Sequence, residues 1–180
     1  MNESVILVDI KGSMTGTMDK LAAHRMGKLH RAFSVFIFNS NGELLLQRRA
    51  IGKYHSGGLW SNTCCSHPRL GENTMEAASR RLNEEMGIAC GLREVFSFHY
   101  FADLENGLAE HEFDHVFFGF SDDLPVLNCN EVNSFAYISI GDLAKEINLN
   151  PDSYTEWLKI CLDKVVKHYK MTKCYDSLAD

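Results

Sequence analysis

The chain has 180 residues, enough to bury a sizeable core within one domain without covalent staples. Hydrophobic residues make up 45% and charged residues 23%, as in ordinary globular proteins, and the net charge of −6 argues against nonspecific nucleic-acid binding. No run of about 18 apolar residues suits a membrane span. The opening MNESVILVDI lacks the basic and apolar regions of a secretory signal, and the six cysteines show no C-x-x-C spacing, so free thiols in a reducing cytoplasm are expected.

Residues 5–8 form a short apolar run that predicts a strand, and residues 19–24 have helical composition broken by Gly27. Residues 31–39, rich in Phe and Val, predict a strand; Asn41-Gly42 is a hairpin signal, and 43–49 return as its partner. Residues 52–71 carry glycines without a clear period and read as a long loop, of the kind that is often functional. The clearest helix follows. Asn73 is its N-cap, Glu76 stands three residues on as in a capping box, and Gly87 stops it. Residues 92–104 and 108–120 read as two strands around Glu105-Asn106-Gly107, residues 134–139 as another, and 141–147 and 152–170 as helices. The second of these, by its position alone, is a candidate lid. The mixture predicts an α/β fold with helices packed on a mixed sheet.

Two groups of residues carry chemistry. On the clear helix, Arg81 and Glu85 are four apart and share a face, which can present a phosphate ligand beside a metal ligand. The ordinary alternative is two surface ion pairs, Arg80–Glu84 and Arg81–Glu85. In the strand at 108–120, period-2 alternation puts Glu110 and Glu112 on one face and His111 on the other. Two carboxylates on one face repel unless a cation lies between them. With His24, His30 and His67 they make a donor set suited to a six-coordinate divalent ion, Mn²⁺ or Mg²⁺, or to Zn²⁺. Spacing alone does not make these five residues a motif.

The run from Ser66 to Ile88 resembles the Nudix box: Glu72, Arg80, Leu82, Glu84, Glu85, Gly87 and Ile88 match its spacing. Ser66 stands where that box has Gly, and Arg81 where it has a metal-binding Glu. The stretches Gly16-Thr-Met-Asp-Lys-Leu-Ala-Ala-His24, Leu29-His-Arg-Ala-Phe-Ser34, Gly58-Leu-Trp-Ser-Asn-Thr-Cys-Cys-Ser-His-Pro68 and Glu110-His-Glu112 follow in order. Together they resemble the type 1 isopentenyl diphosphate isomerases, a branch of the Nudix superfamily, over roughly residues 4–160. That branch has Arg at the position of Arg81.

The resemblance implies a Nudix-like α/β/α sandwich with a mixed sheet, occupying residues 1–180 as a single domain. It implies isomerisation of isopentenyl diphosphate to dimethylallyl diphosphate. His24, His30, His67, Glu110 and Glu112 would bind the catalytic metal, and Cys65 and Glu112 would be the acid–base pair. Glu85, with the backbone carbonyl of Cys65, would hold Mg²⁺ against the diphosphate. Lys20, Arg49, Lys53 and Arg81 would grip the diphosphate, and Tyr100 and Trp157 would line the hydrocarbon pocket. Arg48 neighbours Arg49 on a predicted strand, so only one of the two should face the pocket. Cys64 should point away from Cys65 and take a structural role. The implied partner is a small diphosphate, with neither nucleic acid nor membrane. No interface patch is legible, so the oligomeric state stays open, with a monomer as the starting assumption. Two rival readings are a Nudix hydrolase of nucleoside diphosphate derivatives and a diphosphate- or metal-binding module without turnover.

Overall fold

The computed structural model describes residues 3–176. In chain order its elements are β1 (Ser4–Val8), β2 (Met14–Asp19), α1 (Lys20–Arg25), β3 (His30–Phe38), β4 (Glu43–Arg49), β5 (Trp60–Ser61), β6 (Cys64–Ser66), α2 (Thr74–Met86), β7 (Leu92–Asp103), β8 (Ala109–Phe120), β9 (Val132–Ser139), α3 (Ile140–Leu149) and α4 (Glu156–Asp176).

β3 is the axis of the sheet. It runs parallel to β8 along its whole length, from His30↔Glu112 to Phe38↔Phe120. Its other edge is shared in turn by β1 at His30, β6 at Phe33 to Val35, and β4 at Phe38. β4 leaves β3 to pair antiparallel with β9, and β7 pairs antiparallel with β8. The β3 sequence explains its place. Phe36 and Phe38 point into one apolar cluster, while Phe33, Val35 and Ile37 point into another. A strand buried on both faces has no polar side to alternate with, hence its nearly unbroken apolar run.

The two clusters are the two halves of an α/β/α sandwich. α2 covers one face through Ala77, Ala78, Leu82 and Met86. α3 and α4 cover the other through Leu143, Leu158, Cys161, Leu162 and Val165. α4 is therefore part of the core, and the reading of a lid is corrected. Its buried positions recur at helical spacing on the sheet-facing side, which only a packed helix needs.

The ends of α2 match the sequence reading. The Asn73 side chain accepts from the Met75 and Glu76 amides, and Gly87 closes the helix in the left-handed region at φ 66°. The Asn41-Gly42 hairpin also forms, with Gly42 donating to the Asn39 carbonyl. Three expectations change. Residues 52–71 are not all loop, because β5 and β6 lie inside them. β2 was not expected: none of the residues of Met-Thr-Gly-Thr-Met-Asp is buried, and pairing with β1 makes it a strand. The last helix is preceded by a 3-10 turn at Pro151–Ser153 and begins at Glu156 rather than 152.

Candidate active site

β6 and β8 lie on opposite edges of β3, with Cys65 opposite Ser34 and Glu112 opposite His30. Ser34 and His30 are an even number of residues apart, so Cys65 and Glu112 share one face of the sheet and line one cavity. That cavity is lined by Lys20, Arg49, Lys53, Cys65, His67, Arg81, Glu110, Glu112 and Trp157, together with Phe33, Tyr54, His55 and Ser66.

His24, His30, His67, Glu110 and Glu112 bring one ligand atom each to within 4.8 Å of one another. α1 supplies His24, the first residue of β3 supplies His30, the end of β6 leads into His67, and β8 supplies both carboxylates. Local backbone sets the rings. The His24 Nδ1–H donates to the Lys20 carbonyl at 2.7 Å, and the His30 Nδ1–H to the Lys28 carbonyl at 2.7 Å. In a neutral ring this leaves Nε2 as a lone pair. Those Nε2 atoms face carboxylates: His24 stands 3.1 Å from Glu110 Oε2, and His30 3.7 Å from Glu112 Oε1. His67 Nε2 is 2.9 Å from the same Glu112 oxygen and 3.1 Å from His30 Nε2. Buried Glu110 Oε2 and His67 Nδ1 have no hydrogen-bond partner among the described residues. Acceptors converge here with too few protons to satisfy them. A divalent cation fits this donor set, with backbone carbonyls orienting the imidazoles from behind.

The charges of the protein alone follow from burial. Burial pushes the His67 imidazole down to about 3, against the pull of Glu112. His24 is also opposed by burial, yet its contact with Glu110 leaves it raised. Burial and the neighbouring Glu112 raise Glu110. Glu112 feels the same burial, but the adjacent His30 and His67 imidazoles outweigh it and hold this carboxyl well below its ordinary range. Burial pushes the Cys65 thiol up to about 12, despite nearby Arg49. Cys65 is therefore a thiol at neutral pH while Glu112 is ionised. The Tyr100 hydroxyl donates to Glu112 Oε2 at 2.6 Å.

A family model described as NUDIX domain matches residues 28–158. The chain is 52% identical over 166 residues to isopentenyl-diphosphate Delta-isomerase 2 of Aromatoleum aromaticum, covering 92% of this chain and 88% of that one. It is 49% identical over 173 residues to the isopentenyl-diphosphate Delta-isomerase of Pectobacterium atrosepticum, covering 96% and 97%. The chain belongs to the isopentenyl-diphosphate Delta-isomerase family, within the Nudix fold. A crystal structure of a Deinococcus radiodurans protein has the same fold at a TM-score of 0.76, with 21% identity, covering 90% of this chain and 98% of that one.

Within this isomerase-family site most of the sequence-predicted residues meet. Arg49 faces the cavity and Arg48 turns away to the Gly58 carbonyl. Cys64 is in the core below α2 and Cys65 faces the cavity. His111, on the far face of β8, donates to or accepts from neither carboxylate and lies 2.9 Å from the Gly27 carbonyl. Trp157 is held by its indole N–H, which meets Ser61 Oγ at 2.9 Å and Asn62 Oδ1 at 3.1 Å, and its ring lies 5.1 Å from the Arg49 guanidinium.

One expectation shifts. Tyr100 is not among the cavity-lining residues; its ring stacks on Phe98 in the core, and only its hydroxyl reaches the site. Glu85, expected to hold a separate ion, lies apart from the five converging groups, buried on α2 and paired with Arg81 at 2.6 Å and with the Gln47 amide at 3.1 Å. Both ion pairs of the ordinary alternative are thus present, since Arg80 also meets Glu84. Arg81 lines the cavity all the same, because only part of its fork is used on Glu84, Glu85 and Glu131.

Sequence reasoning missed Glu131, His55 and Tyr54. Glu131 pairs with both Lys53 and Arg81, tying two cavity cations together. The Tyr54 hydroxyl is 3.3 Å from His24 Nε2, and His55 Nε2 is 3.2 Å from Glu110 Oε1. Their one signal was the position of Tyr54 and His55 directly after Lys53, in a loop without periodicity. Cys64, Cys65, Cys90, Cys129 and Cys161 are free thiols, and the Cys174 side chain lies outside the described residues. Among the described residues no helix is long and apolar enough to cross a membrane.

Proposed function

We propose that this chain interconverts isopentenyl diphosphate and dimethylallyl diphosphate by adding a proton at the terminal alkene carbon and removing one from C2. The observation that carries the reading is that Cys65, from β6, and Glu112, from β8, line one cavity. A 1,3-allylic shift needs one group that gives a proton and another that takes one. An isolated alkene is a poor base, so protonation is the hard step and leads toward a tertiary cation at C3.

The remaining residues divide the work. Lys20, Arg49, Lys53 and Arg81 offset the diphosphate charge in a chain whose net charge would otherwise repel it. Glu131 holds Lys53 and Arg81 in place until the anion arrives. The Trp157 indole would line the hydrocarbon end, where an aromatic face attracts a desolvated cation by about 2 kcal/mol. Tyr100 orients the Glu112 carboxylate from the core side. His24, His30, His67, Glu110 and Glu112 would hold a divalent cation, Mn²⁺, Mg²⁺ or Zn²⁺, which supplies positive charge to balance two adjacent carboxylates. Glu85, with the Cys65 backbone carbonyl, would hold Mg²⁺ against the diphosphate. A working Cys65 thiol fits a reducing cytoplasm.

The hydrolase alternative needs the full set of box carboxylates along α2 to bind its cations. Arg81 replaces one of those glutamates and sets a guanidinium against Glu84 and Glu85. The test is to incubate the protein with isopentenyl diphosphate and Mg²⁺ and follow products by ³¹P and ¹H NMR. Dimethylallyl diphosphate with both phosphates retained is expected. Release of inorganic phosphate, or cleavage of nucleoside diphosphate derivatives with isopentenyl diphosphate untouched, would overturn the reading.

A further inference from the structure

The loop between β4 and β5 reaches the metal-binding carboxylates at one residue, His55. Its ring is 5% exposed, with Nε2 standing 3.2 Å from Glu110 Oε1. The two oxygens of Glu110 thereby face different partners: Oε1 meets His55, and Oε2 meets His24 at 3.1 Å. His55 is not one of the five groups that converge within 4.8 Å, so it stands behind the carboxylate and not among the ligands.

The loop is built to hold this ring. His55 Nδ1 lies 3.2 Å from Ser56 Oγ, whose hydroxyl can donate to it and leave the hydrogen on Nε2. Ser56 sits at φ 52°, a left-handed conformation that a non-glycine residue adopts only when its surroundings impose it. The Ser56 amide donates to the Glu105 carboxylate. Gly57 follows where any Cβ would come within 2.5 Å of the Ile51 carbonyl oxygen. The His55 ring also stands edge-on to Trp157, with centroids 5.9 Å apart, and its carbonyl accepts from Arg49 at 3.3 Å.

We propose that His55 is a positioning residue for Glu110. Its Nε2–H engages Oε1, which turns Oε2 toward the histidines and fixes the geometry in which this carboxylate meets a cation. This rests on the metal-dependent reading of the site. Residues behind a metal ligand typically change affinity by about 10- to 100-fold when lost.

The test compares His55→Gln, which keeps an N–H near the Nε2 position, with His55→Phe, which keeps a ring against Trp157 but has no donor. Mn²⁺ affinity of chelator-treated protein is measured by titration calorimetry, alongside kcat and KM for isopentenyl diphosphate. The expected result is Mn²⁺ affinity about 10-fold or more weaker in His55→Phe and within a few-fold of wild type in His55→Gln, with KM nearly unchanged in both. Thermal melting of the metal-free proteins confirms that both variants fold. Equal Mn²⁺ affinity in His55→Phe and wild type would overturn the proposal, as would Phe being tolerated better than Gln. Absence of Mn²⁺ binding by wild type would overturn the metal-dependent reading itself, a result distinguishable from either.

Discussion

Glu112 is the residue on which most of the site's interactions converge. It is buried on β8, opposite His30 in one register and Tyr100 in the other. One oxygen faces His30 and His67, and the other accepts from Tyr100. A hydrogen bond to a charged group is worth about 1.5 to 3 kcal/mol, and each 1.4 kcal/mol is a factor of ten in rate. Tyr100→Phe should therefore lower kcat by about 10- to 100-fold with KM little changed. The fold should persist, because the ring still stacks on Phe98, and circular dichroism checks this. An unchanged kcat would reduce Tyr100 to a core aromatic. At this scale the five His and Glu residues were legible because each sits in a short stretch resembling a known family. His55 and Glu131 were not. Each acts through a partner distant in sequence, 55 residues away for Glu110 and 50 for Arg81, and nothing local announces the contact.

Elements with strong local signals were readable one by one. α2 has a side-chain cap, an apolar stripe and a glycine stop, and all three are in place. The stop is the vulnerable point. Gly87 combines φ 66° with a close approach, since an added Cβ would lie 2.7 Å from Val126 Cβ and 2.9 Å from its carbonyl oxygen. Left-handed backbone with a side chain and overpacking of this kind together cost about 2 to 4 kcal/mol. Gly87→Ala should be destabilised by that amount in denaturant titration, with KM of the folded fraction unchanged. Loss below about 1 kcal/mol would mean that the Val126 segment yields easily. β5 and β6 were hidden for the opposite reason. They are two and three residues long and exist only because β4 and β3 offer edges to pair with, so no period could reveal them. β2 was hidden likewise, because it buries none of its residues and rests on β1 at the sheet's edge.

For the whole molecule, burying so many titratable groups around one cavity ties stability to pH. Burial holds His55 and His67 down at about 3, while in the unfolded chain they titrate near 6.5. Between these values the unfolded state binds more protons, so their contribution is fully present above about 6.5 and is lost as pH falls toward 3. His24, raised by Glu110, acts in the opposite sense: its contribution is present below 6.5 and lost as pH rises through its folded value. Glu110, raised by burial and by Glu112, acts in the same sense as His24, so the share of a lowered histidine is read as a difference: between pH 6.5 and 4, metal-free His55→Gln should lose less melting temperature than metal-free wild type. An equal loss in both would show that His55 is not buried neutral.

The α/β class was legible because the central strand and the best helix carry unambiguous patterns, while the sandwich and the site followed from family-like stretches. What stayed hidden was how separate strands bring Cys65 and Glu112 into one cavity, a product of pairing on both edges of β3. The proposed proton transfer depends on that arrangement. It is tested by running isopentenyl diphosphate with wild type, Cys65→Ala and Glu112→Gln in deuterated water and reading the product by NMR. Wild type should give dimethylallyl diphosphate with deuterium in a methyl group, and neither variant should give deuterated product. Full deuterium incorporation by Cys65→Ala or Glu112→Gln would contradict it.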